Sequence, residues 1–218
     1  MRALIVANGD LTAWERIPPE RLTTELVIAV DGGWQHCQTL GISVDALIGD
    51  FDSLPDTAIN RLQGTAIKLI QHPPQKDEID LELALMYAVE QGAIEMTILA
   101  GLGGRFDMSM ANISLMLHPR LRDVPIEFWH HGQKIWLIQP PGDEIVGETG
   151  DTVSLLPFGA EVCGIQTTNL AYPLENERLQ LGRARGLSNV LTADTATVSF
   201  ESGVLLAVWT HGLSLIHI

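Results

Sequence analysis

The amino-acid sequence predicts an α/β protein, with an N-terminal Rossmann-like, mostly parallel sheet and flanking helices, then a smaller all-β, sandwich-like domain. Three observations carry this. Short apolar runs alternate with helix-compatible segments through the first part of the 218 residues. Motifs rich in glycine and aspartate follow those runs, where a strand would end or a helix begin. Beyond residues 139–142 (QPPG) only short β-like runs separated by turn residues remain.

Taken in order, residues 3–7 (ALIVA) form a continuous apolar run, the kind that a strand buried on both faces requires, and it ends at Asn8 and Gly9. Residues 26–30 (LVIAV) repeat the pattern and run into VDGGW, where Asp31 can hydrogen-bond a ligand and Gly32 and Gly33 can turn the chain. Residues 46–48 (ALI) lead through Gly49 into IGDFDS, and residues 66–70 (AIKLI) give a fourth strand. The segment 81–91 carries apolar residues at Leu81, Leu85 and Ala88 and at Ala84 and Met86, which predicts a helix packed on the sheet, begun by Asp77 or Asp80 as an acidic cap. Residues 96–100 (MTILA) precede the glycine-rich GLGGRFDMSMAN, a second helix is expected over 111–118, ended by Pro119, and residues 126–129 (IEFW) form a sixth strand. The runs 152–156, 162–166, 195–200 and 204–209 then suit a small sandwich or barrel. Two domains are expected, 1–139 and 140–218.

Apolar residues make up 46% of the chain and charged residues 18%, the balance of an ordinary globular protein. A net charge of −14 argues against non-specific nucleic-acid binding, which needs a basic footprint. Two distant cysteines give neither a disulfide framework nor a zinc spacing, so a cytoplasmic protein with free thiols is expected. No apolar stretch approaches the ~20 residues of a membrane span, and no membrane association is expected.

The chemistry concentrates in three acidic motifs: IGDFDS with Asp50 and Asp52, KDEID with Lys76, Asp77 and Asp80, and GGRFD with Gly103, Gly104, Arg105 and Asp107. Carboxylates gathered with little positive charge repel one another unless a cation sits between them, which points to Mg²⁺ and a phosphate-bearing substrate. In extended geometry Asp50 and Asp52 lie on one side with Phe51 facing apolar packing. Glycines between strand and helix let backbone N–H groups approach phosphate oxygens, although the spacing is neither GxGxxG nor a Walker loop. Arg105 can bridge phosphate oxygens in a fork. Asp107 can cap the next helix, orient Arg105 or join a metal shell. All these residues fall at carboxyl ends of expected strands, where open α/β sheets bind ligands.

In order and spacing, DGGW, IGDFDS, KDEIDLELAL and GGRFDMSMANI, with GLSN (186–189) and VSFESGVLL (198–206) in the second half, resemble the thiamine pyrophosphokinase family. The resemblance implies transfer of diphosphate from ATP to the hydroxyethyl group of thiamine, giving thiamine diphosphate and AMP with Mg²⁺. It also implies a homodimer, with thiamine at the junction of one subunit's α/β domain and the other's β-domain. By motif, Asp50, Asp52 and Asp80 match the metal-handling carboxylates, and Asp77 and Arg105 complete the catalytic set. Asp31, Gly32, Gly33, Lys76, Gly103, Gly104, Arg105 and Asp107 fall on the nucleotide side. Asn8, Asp80, Ser188 and Asn189 fall on the thiamine side. Met108 stands where many members have histidine, and Ile79 where threonine is usual. The alternatives are a pyrophosphokinase for another hydroxyalkyl heterocycle such as a pterin, or a non-catalytic thiamine- or nucleotide-binding module.

Overall fold

The computed structural model describes residues 1–51, 62, 64–73, 75 and 77–212. Asp52 and Lys76, and the apolar tail 213–218, lie outside the described residues. The chain divides into two compact units, Met1–His131 and Gly132–Ile218.

The first unit is built on six parallel strands: β1 (Arg2–Val6), β2 (Leu26–Val30), β3 (Ala46–Gly49), β4 (Lys68–Gln71), β5 (Glu95–Leu99) and β6 (Ile126–His130). Their order is β6-β5-β1-β2-β3-β4. All of β2 and β3 is buried, which is why LVIAV and ALIG read as unbroken apolar runs. The edge strand β4 differs, with Lys68 and Gln71 exposed, as an unpaired edge favours. Helices α1 (Pro19–Leu22), α2 (Gly33–Leu40), α3 (Asp80–Glu90) and α4 (Phe106–Ser114) complete the unit among the described residues. Helix α3 buries Leu81, Ala84, Leu85 and Ala88, one stripe at helical spacing, against β1, β2 and β3. Leu85 is fully buried, and truncating it to alanine would cost about 2–5 kcal/mol.

Three details differ from the sequence reading. Neither Asp77 nor Asp80 caps α3: the N-cap position is Ile79, without a side-chain cap, and Asp80 is the first helical residue. Asp77 lies in the bend before it, so the two do not share a helical turn. The second expected helix begins at Phe106, five residues early, because Phe106 and Met110 on its first turns are exposed and give no apolar periodicity to read. Gly33 opens α2 rather than only turning the chain, and a Cβ there would overlap the Val6 carbonyl oxygen. The last turn of α2 closes on left-handed Gly41, whose N–H bonds the Cys37 and Gln38 carbonyls.

The second unit contains no helix among its described residues. Its strands are β7 (Gln133–Ile138), β8 (Gly142–Val146), β9 (Thr152–Pro157), β10 (Val162–Thr168), β11 (Glu175–Leu179), β12 (Asn189–Val190), β13 (Thr195–Ser199) and β14 (Leu205–Thr210). They form antiparallel layers β12-β9-β14-β7 and β11-β10-β13-β8. Alternate residues point inward, as in β13, where Ala196 and Val198 are buried and Thr197 and Ser199 exposed. The inward residues of both layers, among them Trp136, Val153, Ile165, Val198 and Leu205, make one core. The unit begins at Gly132, ahead of the QPPG segment, because β7 pairs with β14 along its whole length and sends Trp136 and Ile138 into this core.

Candidate active site

Strand order locates the site. From β1 the chain builds outward through β2, β3 and β4, then returns to place β5 on the other side of β1. At such a switch point the connections leave in opposite directions and open a crevice beyond the carboxyl ends of the strands. A cleft of about 590 Å³ lies there, lined by Asn8 and Asp10 after β1, Asp31 after β2, Asp77 and Asp80 at the start of α3, and the 101–105 segment after β5.

The chain reaches this cleft through backbone conformations that most residues avoid. Asp31 (φ 46), Phe51 (φ 65) and Ala100 (φ 50) are left-handed, each just beyond a strand end. Each such residue costs on the order of 1–3 kcal/mol, and such strain clusters at functional sites. Phe51 is left-handed rather than extended, and it is buried as expected; Asp52 lies outside the described residues. Gly49 (φ 151) makes room for Asp31, since a Cβ there would overlap Asp31 Oδ1.

Charge is concentrated at the same place. The Asp31 carboxyl is pushed up to about 7, first by burial, then by the neighbouring carboxylate of Asp80, with Asp50 adding a smaller share. A hydrogen bond from the Phe51 N–H, 3.4 Å from Oδ1, opposes this only in part. Among the described residues no three Asp, Glu, His or Cys side chains converge closely enough to hold a metal ion.

The glycine-rich segment closes the other wall. Arg105 and Asp107 are exposed and paired through two parallel hydrogen bonds, Nε to Oδ1 at 3.1 Å and Nη2 to Oδ2 at 2.5 Å. The pair holds the Asp107 carboxyl below its ordinary range and raises the Arg105 guanidinium. Of the roles open to Asp107, helix α4 receives no side-chain cap, and orientation of Arg105 is the one observed. The Gly103 N–H does not face the cleft unengaged but donates to Ser109 Oγ at 3.1 Å. Ser109 and Asn112 line the cleft and were missed by sequence reasoning; their spacing from Arg105, by four and then three, was the available signal. Met108 lines it too.

In the second unit Ser188 is exposed and left-handed (φ 52), and its N–H donates to Ser154 Oγ at 3.0 Å. Asn189 is buried, and its side chain is engaged with backbone. Its Oδ1 accepts from Tyr172 N at 2.9 Å and Val190 N at 3.0 Å, and its Nδ2 donates to the Tyr172 carbonyl at 2.7 Å. Trp209 packs on the core and donates its indole N–H to buried Asp151 at 3.0 Å.

A parallel sheet whose switch point gathers carboxylates opposite an arginine-bearing glycine segment belongs to the α/β enzymes that handle phosphorylated substrates. Comparison with known proteins narrows that class. Residues 21–128 match the thiamin pyrophosphokinase catalytic domain, and residues 139–205 match the thiamin pyrophosphokinase vitamin B1 binding domain. The chain is 30% identical over 185 residues to thiamine pyrophosphokinase of Bacillus subtilis, covering 84% of this chain and 86% of that one. The crystal structure of the Bacillus subtilis enzyme is similar with a TM-score of 0.85 at 29% identity, covering 98% and 100% of the two chains. A thiamin pyrophosphokinase family protein from Enterococcus faecalis gives 0.86 at 27% identity, covering 97% and 100%. The chain belongs to the thiamine pyrophosphokinase family. No helix among the described residues is long and apolar enough to cross a membrane.

Proposed function

We propose that this protein transfers the diphosphate of ATP to the hydroxyethyl group of thiamine, releasing AMP. The observation that carries the reading is the pair Asp31 and Asp80 in the switch-point cleft, with the Asp50 carboxylate acting on Asp31, in a chain matching both family domains. Carboxylates gathered so that Asp80 and Asp50 push the Asp31 carboxyl upward suit a hard divalent cation, which favours oxygen ligands. Asp50, Asp52 and Asp80 would hold Mg²⁺. Held by these residues, Mg²⁺ would supply positive charge to offset that of the phosphate oxygens.

The chain's own residues supply the rest. Arg105, swung from Asp107 onto the triphosphate, exchanges one bidentate partner for another at the same guanidinium face. Asp31, Gly32, Gly33, Lys76, Gly103 and Gly104 form the nucleotide side; of these glycines Gly104 has open space where a side chain would stand, so a ligand can approach its backbone. Asn8 and Asp80 face thiamine from one subunit, and the other subunit's β-domain adds the exposed hydroxyl of Ser188. Asn189 acts by fixing the backbone beside Ser188. Asp80 or Asp77 receives the proton of the attacking hydroxyl. Catalysis is then mainly alignment and charge stabilisation. We place the reaction in the cytoplasm, a reading supported by two free cysteines, with the Cys37 thiol pushed up to about 12 by burial. We also infer a homodimer, which sedimentation would report as twice the 23.8 kDa chain mass.

The test is incubation with ATP, Mg²⁺ and thiamine, following AMP. One AMP per thiamine diphosphate is expected. Formation of ADP, preference for a hydroxymethylpterin, or tight thiamine binding without AMP release would each refute the proposal.

A further inference from the structure

We propose that Ser109 and Asn112 are positioning residues that hold the 101–105 segment in the shape that receives the nucleotide; this rests on reading the cleft as the ATP site. Gly103 (φ 106) and Gly104 (φ 65) adopt conformations that L side chains avoid, and with Gly101 they make the segment intrinsically loose. Ordering a loose segment at the moment of binding subtracts from affinity, and ordering it beforehand restores that affinity.

Two side chains of α4 do the ordering at three backbone atoms. Asn112 Nδ2 donates to the Gly101 carbonyl at 2.6 Å. Ser109 Oγ accepts from the Gly103 N–H at 3.1 Å and donates to the Arg105 carbonyl at 3.2 Å. Donors and acceptors balance, since the single hydroxyl proton goes to Arg105 and an oxygen lone pair receives Gly103. The guanidinium of Arg105 therefore hangs from a backbone fixed on both sides.

Asn112 shows that this geometry costs stability. It is 8% exposed, and its Oδ1 is buried without a hydrogen-bond partner. Native interiors rarely leave such an atom unpaired. A leucine of similar size would avoid the penalty but has no N–H for Gly101. The amide is thus used for its donor, whose recipient among the described residues is the Gly101 carbonyl.

The experiment measures ATP binding by calorimetry with a non-hydrolysable analogue, together with KM for ATP and thiamine, in the full-length protein. Ser109→Ala should weaken analogue binding and raise the ATP KM about fivefold, the usual worth of a lost hydrogen bond, with kcat and the thiamine KM within about twofold. Ser109→Thr, which keeps the hydroxyl, should restore both. Asn112→Leu exchanges one unpaired carbonyl (its own) for another (Gly101), so its melting temperature should move little while ATP binding weakens similarly. Equal effects on ATP and thiamine, a fall in melting temperature with unchanged ATP binding, or no change at all would overturn the proposal. Analogue binding without AMP release in the unaltered protein would refute the diphosphotransfer reading alone. Absence of analogue binding there would overturn both.

Discussion

Replacing Asp31 with asparagine probes the electrostatics of the cleft. The amide keeps the shape of the side chain, and its oxygen can still accept from the Phe51 N–H. What disappears is one negative charge beside Asp80 and Asp50. The rise of the carboxyl from 3.8 to about 7, caused first by burial and then by repulsion, sets a ceiling of about 4 kcal/mol on the charge penalty removed. Asp31 is only partly buried, and solvent screening reduces this to about 2 kcal/mol. The sign follows from proton counting. The unfolded chain loses this proton near 3.8 and the folded protein only near 7. Across that window the folded state holds the extra proton, so stability falls as pH rises and the loss is complete above about 7. Thermal unfolding in a chelating buffer, followed by circular dichroism across that range, should show equal melting temperatures at the acid end. Above pH 7 the variant should melt about 4–8 °C higher, at roughly 2–4 °C per kcal/mol for a chain of this size. A difference independent of pH, or a variant less stable above pH 7, would refute the reasoning.

Arg105→Lys should leave the melting temperature unchanged, because the Arg105–Asp107 pair is solvent-exposed, yet lower AMP formation at least about tenfold because an ammonium cannot reproduce the guanidinium fork. Unchanged turnover would remove Arg105 from the phosphate site. Asn189→Ala should destabilise the second unit by about 2 kcal/mol through three lost backbone contacts. Ser188→Ala should do nothing to stability and weaken thiamine more than ATP; calorimetry separates the two cases. Asp151→Asn should cost about 3 kcal/mol, since buried Asp151 accepts from Glu148 N, Gly212 N, Trp209 Nε1 and the His211 ring, and an amide presents a donor to half of them. Chemical denaturation measures this directly.

The strands were legible because parallel strands buried on both faces must be apolar at every position, and LVIAV or MTIL has no other economical use. Helix α3 was legible because Leu81, Ala84, Leu85 and Ala88 write its period into the sequence. Helix α2 was not: GWQHCQTL buries only Gly33 and Cys37 and leaves no stripe. The start of α4 was hidden for the same reason. Short-range polar chemistry was the least legible. The side chain of Asn189 holds the Tyr172 backbone, and the indole N–H of Trp209 goes to Asp151, and neither bond follows from residue type or local spacing.

By itself the sequence determined the class of fold, the family and the identity of the acidic and glycine-rich motifs, because each depends on residue type and local spacing. Only the tertiary structure decided how those motifs meet. Asp31, Asp50 and Asp80 belong to three separate segments, and strand order alone brings them close enough to raise the Asp31 carboxyl. Likewise, the bond from Asn112 to the Gly101 carbonyl depends on where α4 packs, over a separation of eleven residues. Repulsion and hydrogen bonding act through distances of a few ångströms in space, and those distances exist only once the sheet has formed.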